Sequence, residues 1–167
     1  VLANTEITNF AASESADVAL PQALQWHTAE WTVVPAPLHT PLDAVCPITT
    51  GGAHHACVHE LWLDLDLAHP NYAHYTSFTL RLSWPAYTPT DFRLEILDPP
   101  AVAALLRLPP STGAQTRRKY ARIRAVDTGV LTPPAAPRAL NVTVAFVLTL
   151  EPLYLGVLPA TLVPFLL

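Results

Sequence analysis

An all-β fold, specifically a single antiparallel β-sandwich of immunoglobulin or fibronectin type, is predicted by three observations. Apolar and polar residues alternate with a period of two over several stretches, as they do where a strand buries one face and wets the other. Eighteen prolines in 167 residues, about twice the usual share, exclude long helices. The alternating stretches are short and separated by loops rich in Pro, Gly, Thr and Asp, a spacing typical of sandwich strands.

In chain order, Val1-Leu2-Ala3 has compact residues at the spacing a signal peptidase accepts, so it is expected to be the tail of a secretory signal with Asn4 as the mature start. A boundary chosen for other reasons is the alternative. Ser15 to Gln25 is one of two stretches able to form a short helix. The first expected strand is Glu30-Trp31-Thr32-Val33-Val34. Cys46 and Cys57 are an even pair around a Pro- and Gly-containing loop, expected to close a disulfide in an oxidising compartment.

The next strand runs from Cys57 to Leu67, with Leu61, Leu63, Leu65 and Leu67 on one face and Glu60, Trp62, Asp64 and Asp66 on the other. Trp62 interrupts the polar side and requires cover from a loop or a partner. From Tyr75 to Trp84, Phe78, Leu80, Leu82 and Trp84 share a face. Pro85 and Pro89 stop that strand, and Asp91 to Leu97 resumes the alternation through Phe92, Leu94 and Ile96. The two runs are expected to be neighbours in one antiparallel sheet.

Pro99 and Pro100 open the second possible helix, which continues to Leu106. Arg117-Arg118-Lys119, beside Ser111-Thr112-Gly113, reads as a solvated hairpin loop. Tyr120 to Val126 and Leu140 to Leu150 complete the strands. In the latter, Leu140, Val142, Val144, Phe146, Leu148 and Leu150 form an unbroken apolar face. Asn141-Val142-Thr143 is an N-glycosylation sequon that places Asn141 on the polar side. The expected division is a sandwich over residues 1–152 and an apolar membrane-proximal segment over 153–167. That segment carries no charge. It reads as the approach to a membrane anchor, with a closing sandwich strand as the alternative, and is shorter than the roughly 20 residues of a spanning helix.

Composition narrows the function. Only 13% of the residues are charged, about half the usual share, and the mean hydropathy of +0.30 fits work at or beside a membrane. A net charge of −4 argues against nucleic acid.

Chemistry finds little support. Cys46, His54, His55, Cys57 and His59 are a loose set of soft-metal donors, and His55, Cys57 and His59 alternate onto one strand face, yet their spacing is not that of paired zinc ligands. No metal or cofactor is expected. Asp64 and Asp66 share a face without a further catalytic partner in sequence. No nucleophile elbow, phosphate loop or dinucleotide fingerprint is present, and five glycines leave little material for one. Trp84, Tyr87 and Phe92 are read as core anchors in preference to a ligand groove.

Three stretches resemble a fungal family, the co-activator subunit of GPI mannosyltransferase II. Ser83-Trp84-Pro85-Ala86 followed by Pro89-Thr90-Asp91-Phe92 is similar to its strand-turn-strand signature. Asn4-Thr5-Glu6 with Phe10 is similar to its mature N-terminal motif. Leu150-Glu151-Pro152-Leu153-Tyr154-Leu155, Val157-Leu158-Pro159 and Leu162-Val163-Pro164 resemble its membrane-proximal segment. The resemblance implies a lumenal domain on the endoplasmic reticulum membrane, bound to a multi-spanning catalytic subunit that adds the second mannose of the GPI precursor. The chain itself would be a non-catalytic accessory subunit, with Trp62 a candidate contact. The alternatives are a secreted or cell-surface β-sandwich binding module and, third, a metal-dependent lumenal enzyme.

Overall fold

The structure, a computed structural model, describes residues 2–26, 28–48, 57–109, 113–129 and 142–165. Its strands are β1 (Leu2–Ala11), β2 (Ser15–Ala16), β3 (Leu24–Gln25), β4 (Glu30–Val33), β5 (Glu60–Leu65), β6 (Ser77–Pro85), β7 (Thr90–Leu97), β8 (Gln115–Thr116), β9 (Lys119–Asp127), β10 (Val144–Tyr154) and β11 (Leu158–Pro159). One α-helix, α1 (Pro99–Leu106), and two 3-10 turns, Leu42–Ala44 and Ala160–Phe165, accompany them. Strands dominate and helix is scarce.

The strands form two main sheets. In the first, β6 lies between β1 and β10, and β4 and β11 each pair with β10. In the second the order is β3-β5-β9-β7, and β2 and β8 make a separate small ribbon. The inward residues of both main sheets meet in one core. Phe78, Leu80, Leu82 and Trp84 of β6 and Val144, Phe146 and Leu148 of β10 face Leu63, Leu65, Phe92, Leu94, Ala121, Ile123 and Ala125. This sandwich-like packing is what period-two alternation produces when each sheet hides one face.

Several expectations are corrected. β6 and β7 are not sheet neighbours: β6 pairs with β1 and β10, whereas β7 pairs with β9. The turn at 86–89 instead carries the chain from one sheet to the other, so Trp84 and Phe92 meet across the core with ring centroids 4.8 Å apart. Pairing is not wholly antiparallel, since β3 runs parallel to β5.

Ser15 to Gln25 is not helical but holds β2 and β3, because Pro21 and the pairings to β8 and β5 favour extended backbone. β1 was not expected as a strand. The described part of the last long strand begins at Val144, leaving Val142 exposed, and Leu140 and Asn141, the sequon's acceptor, lie outside the described residues.

Arg117-Arg118-Lys119 is not a solvated loop. Lys119 is 1% exposed within β9, where Nζ donates to the Ser13 carbonyl at 2.8 Å and pairs with Asp98. Arg117 donates to the carbonyls of Ala73 and Tyr75, and Arg118 pairs with Asp17 and Asp64. Asp98 is the N-cap of α1, and its side chain makes no capping bond. The pull of Lys119 accounts for that.

The outer face of the second sheet is covered by the chain itself. Trp62 and Tyr120 pack with Leu20 and with Val102 and Leu106 of α1. Trp62 is therefore 5% exposed, and its assignment as a contact residue is overturned: α1 and the Leu20 segment supply the cover. A third small cluster joins Ala36, Val45 and Val126 beneath the Leu42–Ala44 turn. The Cys46–Cys57 disulfide is formed, with Cα atoms 6.0 Å apart. By the loop-entropy model such a link contributes about 3 kcal/mol.

Candidate interaction surfaces

The densest polar constellation is a charged layer on the covered face of the second sheet. On β9, alternation sends Arg122 and Arg124 outward, opposite the buried Ala121, Ile123 and Ala125. Arg122 Nε donates to Glu60 Oε2 at 2.6 Å, its Nη2 donates to the Cys46 carbonyl at 3.1 Å, and its guanidinium lies 5.4 Å from the Trp62 ring centroid. Trp62 Nε1 donates to the other Glu60 oxygen at 2.7 Å. Arg124 reaches the Leu42 carbonyl at 2.9 Å and Glu95 at 2.7 Å, and Arg93 bonds Asp43 at 2.9 Å. Arg93, Arg122 and Arg124 thus oppose Asp43, Glu60 and Glu95. The layer is charge-balanced, and it ties the disulfide-linked loop onto the sheet.

A second polar group surrounds Asp64, which sits on the same face. Its Oδ2 accepts from Gln25 Nε2 at 2.8 Å and its Oδ1 lies 3.2 Å from Arg118 Nε. Burial raises the Asp64 pKa above the usual carboxylate value, against the opposing pull of Gln25 and Arg118. Burial likewise raises Tyr120, whose hydroxyl donates to the Val18 carbonyl at 2.8 Å and accepts from the Leu20 amide at 3.1 Å. Asp66 is exposed and accepts from the Ala68 amide, so the two aspartates do not converge on a common site.

The metal-donor set is not assembled. Cys57 sulfur is bonded to Cys46 and offers no thiolate. His59 Nδ1 lies 2.9 Å from the Val34 carbonyl. His54 and His55 lie outside the described residues, and among those described no group of three or more donors is gathered. Trp84 and Phe92 are buried core residues, whereas Tyr87 stands at the tip of the inter-sheet turn, 86% exposed.

Among the described residues, several exposed apolar side chains gather at the C-terminal hairpin. Tyr154-Leu155-Gly156-Val157 closes β10 onto β11, with the Val157 amide donating to the Tyr154 carbonyl at 3.2 Å. Leu155 and Gly156 have φ of 52° and 75° within the three-residue loop bounded by the Tyr154–Leu158 pair, two successive positive values such as a type I′ turn uses. Such turns favour Asn-Gly, because a branched or bulky side chain is strained at positive φ. Here a leucine holds the first position and is 84% exposed.

Tyr154, Val157, Leu158 and Leu162 are exposed beside it, and Thr161 Oγ1 fixes the following 3-10 turn by bonding Glu151 at 3.2 Å. His74, Tyr75 and Thr76 join Leu153, Tyr154 and Leu155 around an open cleft of about 340 Å³ at the hairpin's base. Sequence reasoning took this segment as a whole and missed its tip. An X-Gly pair between alternating apolar residues was the available signal.

Two of the three motif stretches are neighbours in the fold. Asn4 pairs with Trp84 and Thr5 with Ser83, so the N-terminal motif and the strand-turn-strand motif share one end of the first sheet. Asp91 and Phe92 begin β7 across the core from them, and Pro89 lies in the connecting turn. Pro152 pairs with Phe78 at the other end of β6, and Pro159 with Leu153 in the hairpin. No protein-family model, curated protein or solved structure matches this chain. Among the described residues no helix is long and apolar enough to cross a membrane.

Proposed function

We propose that this chain is a non-catalytic accessory subunit of an endoplasmic-reticulum mannosyltransferase, the enzyme adding the second mannose of the GPI precursor, with its sandwich facing the lumen. The observation that carries the contact role is the C-terminal hairpin. It displays Leu155 in a strained backbone conformation, flanked by exposed Tyr154, Val157 and Leu158. Strain held at an exposed apolar residue is a cost without return in the isolated domain, and such costs cluster where a residue acts on something else. Full burial of one leucine or valine side chain is worth about 1.5–3 kcal/mol, so the tip alone supplies a useful share of a membrane-level contact.

The disulfide suits an oxidising lumen. The named family rests on the three motif stretches, two of which lie side by side. The chemistry then belongs to the catalytic partner, and the charged layer acts as scaffold. Mild-detergent isolation of the full-length protein from its native membranes, followed by mass spectrometry, tests the reading. A stoichiometric multi-spanning mannosyltransferase, lost on Leu155→Asn, is the expected result. The protein running alone would overturn it in favour of a free-standing binding module.

A further inference from the structure

Among the described residues the two sheets expose five edges or edge pieces, and four are blunted, β11 among them at only Leu158–Pro159. β3 is only Leu24–Gln25 and β4 only Glu30–Val33, each too short to template a partner strand. β7 points Asp91, Arg93 and Glu95 outward, a run of charges of the kind that discourages edge pairing. β1 is different. It runs from Leu2 to Ala11 without Lys, Arg or Pro, and among the described residues only β6 pairs with it.

The direction of its free hydrogen-bonding groups follows from the register. The Ala12 amide donates to the Thr76 carbonyl at 2.9 Å, one step beyond the Ala11–Ser77 pair. In an antiparallel ladder the bonded pairs alternate, so Phe10, Thr8 and Glu6 exchange bonds with β6. The amides and carbonyls of Thr5, Ile7 and Asn9 therefore point to the open edge. Their side chains stand on the exposed outer face, with Ile7 58% exposed.

We infer that β1 is the interface of a homodimer, in which two copies pair their β1 edges antiparallel about a two-fold axis at Ile7. Self-complementarity selects a second copy as the occupant. With Ile7 opposite its symmetry mate, Thr5 falls opposite Asn9 and all three bring outward-pointing groups, giving six interchain backbone bonds by this register. Ile7 then forms an apolar cross-strand pair on the outer face. Glu6 is the strand's one charge, and the same register sets it opposite the Thr8 hydroxyl of the partner copy, not against its own mate. The first sheets of the two copies become one continuous sheet and the longest open edge disappears.

Sedimentation equilibrium on the 167-residue chain, across micromolar concentrations, tests this together with two variants. The expected result is a reversible dimer of twice the 18.1 kDa chain mass. Ile7→Glu is chosen because Ile7 pairs with Arg81, which can accept the carboxylate within one copy, while the two-fold register sets like charges face to face. It should weaken dimerisation at least tenfold with unchanged far-ultraviolet circular dichroism. Ile7→Cys should cross-link to itself on oxidation, a readout that does not depend on the folding of the Glu variant. A monomer at every concentration would overturn the proposal. So would a dimer indifferent to Ile7→Glu, or one lost instead on Leu155→Asn, which would assign association to the hairpin.

Discussion

Leu155→Asn should stabilise the isolated domain while weakening its hold on a partner. Placing an L-residue with a full side chain in the left-handed region costs about 1–2 kcal/mol, and asparagine carries much less of that cost. Leu155 sits there with φ of 52° and is 84% exposed, so replacing it surrenders little burial. The balance is a gain of about 1 kcal/mol, or a rise in Tm of about 2–4 °C for a chain of this size. Guanidinium titration followed by tryptophan fluorescence reads it directly, since Trp31, Trp62 and Trp84 are buried in the folded state. The denaturation midpoint should rise with an unchanged m-value. In the membrane isolation the same variant should lose its partner. A midpoint that falls at constant m-value would refute the claim that the turn stores strain for the sake of its exposed leucine.

Two further outcomes follow from the polar layers. Arg122→Ala strands the nearly buried Glu60 carboxylate and should cost about 3–5 kcal/mol by chemical denaturation, whereas Arg122→Met combined with Glu60→Gln should recover most of the loss. Asp64 gives a pH dependence with a defined sign. Its folded-state pKa is raised above 3.8, so between that value and the folded pKa the native state holds more proton than the unfolded one. Its contribution therefore falls as pH rises through that window and is level above it; Asp64→Asn should remove this part of the slope in midpoint measured against pH.

The strands were legible because alternation is a local property. β6, β7 and β9 fall within a residue or two of the stretches whose alternation or strand composition marked them. Partners were not legible, because the same alternation arises whichever sheet a strand joins. Phe78 to Trp84 and Phe92 to Ile96 each bury one face, and only the packing of Trp84 on Phe92 shows that those faces oppose each other across the core. β1 was missed because its core-facing positions include Glu6 and Thr8, which an edge strand tolerates and a central one does not. Lys119 was misread for a related reason. A charge run looks solvated until Ser13 and Asp98, remote in sequence, come within reach of the amine. Trp62 required cover, as its place among polar neighbours indicated, but sequence could not say that α1 would provide it.

That self-provided cover constrains where a partner can bind. The outer face of the second sheet is occupied by α1, the Leu42–Ala44 turn and the arginine–carboxylate layer, and exposing it would leave buried charges unpaired. Among the described residues the outer face of the first sheet has no such layer: Thr5, Ile7, Asn9, Thr32, Arg81 and Ala145 are all exposed on it. The C-terminal hairpin extends from that same sheet. A partner approaching the first sheet gains the apolar hairpin without breaking any ion pair of the described residues, and one approaching the second must first dismantle the scaffold. On the proposed accessory role, this energetic asymmetry favours the first sheet for recognition and leaves the second as structural support.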